Sequence, residues 1–255
     1  MKKFVKIISL LLIILISGVN GFSQLSPQKD FVHDSVIYSK ELSGGIIIHN
    51  LGFGFQYRKS FNKTVFKKKF FEFEFVGMKS LKQIKIINPY FFYSKSYYYG
   101  KLNNVFLLRG GYGFQHLLNR KPYWGGVELR YFYSGGASIG ISKPVYLYIL
   151  NFLSTNFYEY EIVVEKYNPD EHFYENIYGR APFTEGLGEI KIYPGIYLKT
   201  GMNFEFGMFK SKKASLEIGG IIEYLPIAVP IMAFSDPKSF FITVYVSFSI
   251  GKRYN

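Results

Sequence analysis

His33, His49, His116 and His172 are the only imidazoles available for general-base work, and the chain has no cysteine. Without Cys there is no thiolate nucleophile, disulfide, thiolate metal site or lipid-attachment residue. A lipid-deacylating site would need a histidine oriented by an acid and set beside a serine. His49 shares the apolar face of its segment near one strand end, and His116 lies near the opposite end. Spacing alone names no serine partner for either, and interfacial histidines are the simpler reading. Asp170, Glu171, His172 and Glu175 crowd one acidic stretch. Their spacing matches no metal-ligand pattern, so a solvated loop is expected there. The pentamers Gly52-Phe53-Gly54-Phe55-Gln56 and Gly111-Tyr112-Gly113-Phe114-Gln115 contain G-x-G. The third glycine and the following helix of a nucleotide fingerprint are missing, so they read as equivalent positions on two strands of the same direction. No cofactor or metal is expected.

Charge is the larger chemical resource. Arg58, Glu72, Glu74, Arg109, Glu128, Arg130, Lys191, Lys199, Glu205, Glu217 and Glu223 all fall on the polar face of alternating segments. Ions of both signs on one inward face form either a path or a plug. A barrel of about eight strands has room inside only for its own side chains, which favours the plug. Unpaired buried charge is costly, so these ions should pair with one another. A second set, Lys67, Lys68, Lys69, Arg120, Lys210, Lys212 and Lys213, clusters at presumed turns. Such residues anchor a barrel by reaching headgroup phosphates, their stems lying along apolar surface. Docking to an acidic partner is the alternative.

The elements that carry these residues are strands. In residues 186–208, Ile190, Ile192, Ile196, Leu198, Met202, Phe204 and Phe206 alternate with Lys191, Tyr193, Tyr197, Lys199, Asn203 and Glu205. Period-two alternation marks a strand with two different environments. At about 3.3 Å per residue this one is long enough to cross a bilayer core. Alternation recurs in 46–59, where Ile47, Leu51, Phe53, Phe55 and Tyr57 share a face, and in 66–78, with Phe71, Phe73 and Phe75. It continues in 102–116 (Leu108), 126–148 (Leu129), 216–225 and 240–250 (Ile242, Val244, Val246). Parity survives Gly135-Gly136, so 126–148 is expected to be one bent strand. Residues 36–42 supply a faint eighth strand. Phe73, Phe204 and Val246 are placed at the middle of the lipid face.

Glycines choose between a membrane barrel and a lipocalin-like soluble one. Gly52, Gly54, Gly111, Gly113, Gly195, Gly201, Gly207 and Gly219 lie on the polar face. Outside a soluble barrel they would only weaken the strands, whereas inside a narrow lumen they make room for Glu, Arg and Lys. The apolar face therefore points outward, as in membrane barrels. Connections alternate between short basic turns and long aromatic loops, the largest at 79–101 and 151–185. In such barrels the turns are periplasmic and the loops external.

Mean hydropathy is only +0.05, as alternation dictates. The single apolar run, residues 7–16 behind Lys2, Lys3 and Lys6, is too short to span and reads as a secretory signal cleaved near Ser23. Residues 1–23 are thus the signal and 24–255 the barrel. With a signal peptide, a net charge of +13 points to phosphate-bearing lipids rather than nucleic acid.

The Gly21-Phe22-Ser23-Gln24 signal end, the amphipathic strands, the basic turns and the closing residues 242–255 resemble the small outer-membrane β-barrel proteins of Gram-negative bacteria. The resemblance implies an all-β, antiparallel up-and-down transmembrane barrel of eight strands, with ten to twelve as the alternative. It implies outer-membrane lipids, including lipopolysaccharide, as partners, and an extracellular ligand held by the loops. Structural or surface-binding roles fit best. A lipid-modifying enzyme of the lipid A deacylase type and a narrow porin are the alternatives.

Overall fold

A computed structural model describes residues 38–91, 93–120, 126–152, 160–206 and 212–255. The signal segment, its cleavage near Ser23, His33, Lys121, Trp124, Lys210 and part of the 151–185 loop lie outside these residues.

Thirteen strands are described, and eight of them close a barrel. In chain order the barrel strands are β1 (Lys40–His49), β2 (Gly52–Asn62), β3 (Lys67–Met78), β6 (Asn103–Asn119), β7 (Val127–Pro144), β11 (Lys191–Phe206), β12 (Lys212–Val229) and β13 (Lys238–Tyr254). Each pairs antiparallel with the next, and β13 returns to β1 with Lys40 opposite Tyr254. The barrel is up-and-down and eight-stranded, not ten or twelve. The strand expected at 126–148 runs unbroken through Gly135-Gly136 as β7 but ends at Pro144, and residues 146–148 belong to a separate strand.

Burial follows the pleat, because successive side chains leave opposite faces. In β13, Phe240, Ile242, Val244, Val246, Phe248 and Ile250 are exposed on the outer wall. Phe241, Thr243, Tyr245, Ser247 and Ser249 are buried inside.

Residues 46–59 are not one strand. A two-residue turn, Asn50-Leu51, separates β1 from β2, and His49 pairs with Gly52. Both partners of such a closing pair leave the same face, so parity flips across the turn. Ile46 and Ile48 are exposed and Ile47 is fully buried, the reverse of the sequence reading; Leu51 packs on the interior cluster. The three consecutive isoleucines hid the flip. Of the faint strand expected at 36–42, residues 40–42 are the beginning of β1, and 36–37 lie outside the described residues.

The strand ends Asn62, Lys67, Asn119, Val127, Phe206 and Lys212 share one end of the barrel with Lys40 and Tyr254. The longer connections 79–102, 145–190 and 230–237 share the other, together with the tight Asn50-Leu51 turn. Neither large loop is irregular. Loop 79–102 contains the ribbon of β4 (Lys85–Ile86) and β5 (Tyr97–Tyr98). Loop 145–190 contains a three-stranded sheet of β8 (Tyr146–Phe152), β9 (Tyr160–Lys166) and β10 (Ile177–Arg180), with β8 in the middle. Tyr97, Leu147, Ile149, Tyr167 and Ile177 form a second apolar core between them. The buried Asn88 amide donates to the Ile177 carbonyl at 2.8 Å, tying one loop to the other.

Candidate functional site

The lumen holds most of the buried charge, in stacked clusters. Nearest the turn end, Glu41 of β1 accepts from Lys68 of β3 at 2.6 Å and Lys213 of β12 at 2.8 Å. Glu205 of β11 lies 3.6 Å from each lysine and pairs with Arg253 of β13, which also reaches Glu41 at 3.4 Å. Arg130 pairs with Glu128 beside it and donates to the Val65 carbonyl at 3.2 Å, closing the 63–66 turn from inside.

In the middle, Arg58 of β2 bridges Glu72 of β3 at 3.0 Å and Glu217 of β12. Glu72 also accepts from Ser134 at 2.6 Å, Tyr197 at 3.1 Å and Lys199 at 3.2 Å. The Arg58 guanidinium lies 4.3 Å from the Phe70 ring centroid. Lys199 continues to Glu74, which meets Arg109 of β6 at 3.2 Å; Arg109 then reaches Glu223 of β12 at 2.8 Å. Beyond this layer the interior turns apolar, with Leu107, Met78, Val105, Leu225, Val229 and Phe241 sealing the loop end.

Among the described residues, seven cations (Arg58, Lys68, Arg109, Arg130, Lys199, Lys213, Arg253) pair with seven carboxylates (Glu41, Glu72, Glu74, Glu128, Glu205, Glu217, Glu223). Each ion loses its hydration on burial, and attraction to a partner of opposite sign offsets that cost.

Ten of the eleven lumen residues expected from the sequence lie in this network. Lys191 does not: it shares the parity but is exposed at the first residue of β11, where its field reaches Glu189. Two residues expected as headgroup anchors are lumenal instead. In Lys67-Lys68-Lys69 the pleat turns only the middle side chain inward, and Lys213 faces inward beside the exposed Lys212. Lys67, Lys69, Arg120 and Lys212 stay on the outer or turn-end surface, Lys69 lying 5.9 Å from the Tyr112 and Phe114 rings. Tyr197 and Asn203 keep the polar parity read for their segment; Ser134 and Arg253 were missed, although the parity of their strands could have found them, and Glu41 was missed because β1 was read with the wrong parity.

The outer wall carries all the residues expected on the lipid face. Phe53, Phe55, Phe71, Phe73, Phe75, Ile196, Leu198, Phe206, Ile242, Val244 and Val246 are exposed. Leu108, Leu129 and Phe204 are half-covered by neighbours. Phe204 sits two residues from the turn end of β11 rather than at its middle, which falls near Leu198. Two of the inward glycines face rings rather than ions: a Cβ on Gly111 would strike the Tyr197 hydroxyl, and one on Gly113 would meet Phe70 at 2.5 Å, whereas one on Gly54 or Gly201 would meet the backbone of the neighbouring strand. The two pentamers are not level, since Gly54 pairs with Val76 of β3 and Gly113 with Phe70.

Among the described residues no histidine has the surroundings of a lipid-facing base. His49 is buried inside the barrel, not on the lipid face, and its Nδ1 accepts from the Leu51 amide at 3.3 Å. His116 stacks on Tyr133 at 5.7 Å on the outer wall. His172 is buried, not solvated: Nδ1 accepts from the Asn168 amide at 3.1 Å, and Nε2 faces Glu165 at 3.1 Å. That closes the 168–172 turn. No cluster of three or more metal-ligating residues occurs among the described residues.

Of the loop aromatics, Tyr97 and Tyr167 are buried, and burial raises both phenols above the ordinary tyrosine range. Tyr99 packs on Tyr167 and Phe234, and Phe91 packs on Tyr160 and Tyr178. Tyr90, Tyr93 and Phe173 are exposed, as are Leu81, Ile84 and Ile87 at the tip of loop 79–102.

An apolar wall around an ion-paired interior defines an inside-out barrel, the class of membrane-spanning β-barrels. No protein-family model matches the chain, and no curated relative does. Among solved structures the chain is similar to Ail, the attachment invasion locus protein of Yersinia pestis, at 9% identity and TM-score 0.38, covering 86% of this chain and 100% of that one. It is similar to Neisserial surface protein A at 7% and 0.36, covering 84% and 95%. It is also similar to the N-terminal barrel domain of Pseudomonas aeruginosa OprF at 6% and 0.36, covering 85% and 98%. These scores describe a distant likeness in shape; the fold rests on the strand pairing itself.

Proposed function

We propose that the chain is an integral outer-membrane barrel with a plugged lumen and a non-enzymatic surface role, its loop end facing outward and binding ligand. The observation that carries this reading is the polarity of the wall: exposed Phe, Ile, Leu and Val outside, and balanced ion pairs within. In water such a wall would be an adhesive surface far larger than soluble proteins tolerate. Outer-membrane lipids, including lipopolysaccharide, then cover it, and Lys67, Lys69, Arg120 and Lys212 anchor its turn end to headgroups. The loop end supports a binding role because loops 79–102 and 145–190 are braced by their own core yet leave Leu81, Ile84, Ile87, Tyr90, Tyr93 and Phe173 exposed. The lipid A deacylase-type alternative loses its candidate base with His49 turned inward. The porin alternative would need a path through the ion network and the apolar layer above it.

Protease treatment of intact cells tests the sidedness. Cleavage should fall near residues 80–94 and spare the turn at 207–211. Cleavage at that turn with the loops protected would invert the topology.

A further inference from the structure

Beyond the rim of β6 and β7, the β4–β5 ribbon and the edge of the three-stranded sheet enclose a cavity of about 380 Å³. Its lining carries five cationic side chains, Lys85, Lys95, Lys101, Lys143 and Arg180, and no carboxylate. Lys101 and Lys143 are buried, at 7% and 3% exposure. Among the described residues none of the five forms an ion pair; the pairs of this end are Lys166 with Glu189 and His172 with Glu165. Lys143 donates only to the Pro144 carbonyl at 3.3 Å and faces the Phe183 ring at 4.7 Å. Lys101 faces the Tyr98 ring at 5.1 Å. The carboxylate whose field reaches Lys143, Glu185, is not among the lining residues. The contrast with the lumen is the argument. There every buried cation meets an acid of the chain, whereas here buried ammonium groups converge on open space with only ring faces and a carbonyl for company, an arrangement that calls for an external anion.

We propose that this cavity binds a phosphoryl group carried on a small scaffold. Several convergent cations match a dianion better than a carboxylate, and the Arg180 fork suits phosphate oxygens. The volume lies within the range of small-molecule sites. Ser96, Asn104 and the faces of Tyr97, Tyr98 and Phe183 offer hydrogen bonds and stacking to a scaffold such as a sugar. Phe183 also packs 6.3 Å from Phe106 of the outer wall, so the cavity opens where that wall ends. A phosphate from a lipid headgroup and one from a soluble phosphorylated sugar could both reach it. The inference rests on the reading of the loop end as the ligand-binding end.

The test uses the full chain folded in uncharged maltoside micelles, titrated calorimetrically with inorganic phosphate and glucose 1-phosphate. A second arm measures enrichment of phosphatidic acid around the barrel in nanodiscs of phosphatidylcholine doped with it. Both arms compare the parent with Lys101→Gln/Lys143→Gln and with Lys67→Gln/Lys69→Gln at the turn end. The expected result is saturable binding in at least one arm, weakened tenfold or more by the first double variant and unchanged by the second. Binding in the soluble arm alone assigns a free phosphorylated ligand, and enrichment in the lipid arm alone assigns a headgroup. Absence of saturable binding in both arms, or equal binding by Lys101→Gln/Lys143→Gln, overturns the proposal. Heat-modifiable gel migration reports folding of each variant. Because the titrations do not depend on sidedness, their failure is separate from failure of the protease test on cells.

Discussion

Arg109 is fully buried and serves two carboxylates on opposite walls of the barrel, Glu74 of β3 and Glu223 of β12. Removing it leaves Glu223 buried without this ion pair and Glu74 with Lys199 alone, and breaking such a pair costs about 3–5 kcal/mol. Arg109→Gln should therefore lower the denaturant midpoint of micelle-folded protein markedly, while Lys191→Gln, outside the network, should leave it unchanged. Lys101 makes the opposite case. Burial, with Lys79 adding to it, lowers its amine from the ordinary 10.5 to about 8. Below pH 8 the charge is present folded and unfolded, and the fold carries the full cost of burying it. Between about pH 8 and 10.5 the folded state sheds the proton first, so this cost is relieved as pH rises. A phosphate held by the charged amine follows the reverse course. The rise in melting temperature on adding phosphate should be larger at pH 7 than at about pH 9.5, and equal shifts would show that Lys101 takes no part.

Strands carry these residues at fixed depths, so a side chain's place in its strand decides what a substitution does. In β11, Leu198 lies near mid-height and Phe204 near the turn end. An arginine on the lipid face costs about 2–4 kcal/mol at the midplane and about 0–1 near the interfaces. Leu198→Arg should thus impair folding into bilayers far more than Phe204→Arg; equal losses would mean that the wall does not contact lipid along that strand. The elements most legible in the sequence were those with strict alternation, such as β3, β11 and β13, where one parity serves the whole strand. β1 was misread, and the turn into β2 missed, because Ile46-Ile47-Ile48 is apolar at both parities and Asn50-Leu51 lacks the glycine that usually marks a two-residue turn. The loop sheet escaped notice for a related reason. Both faces of β8 are largely covered, so it shows no alternation, and its partner β10 is four residues long.

For the molecule as a whole, period two and inward glycines were enough to foresee a closed barrel with its polar face inside. Ten of the fourteen ions of the lumen network were legible, because they lie on strands whose parity was read correctly; Glu41 lies on β1, whose parity was reversed. Lys68 and Lys213 were assigned outward because a run of lysines suggests a surface, yet the pleat turns alternate lysines inward. The cationic cavity was not legible at all. Three of its five cations come from loop 79–102, one from β7 and one from loop 145–190, so four lie in connections without periodicity, and only tertiary packing brings them together. The central claim is that the apolar wall faces lipid and the ion-paired face does not. The absence of native cysteine makes it directly measurable. Single cysteines placed in turn at Ile242, Thr243, Val244, Tyr245, Val246 and Ser247, spin-labelled in reconstituted bilayers, report oxygen accessibility position by position. High accessibility at Ile242, Val244 and Val246 with low accessibility at Thr243, Tyr245 and Ser247 is the predicted result; uniform or inverted accessibility along β13 would contradict it.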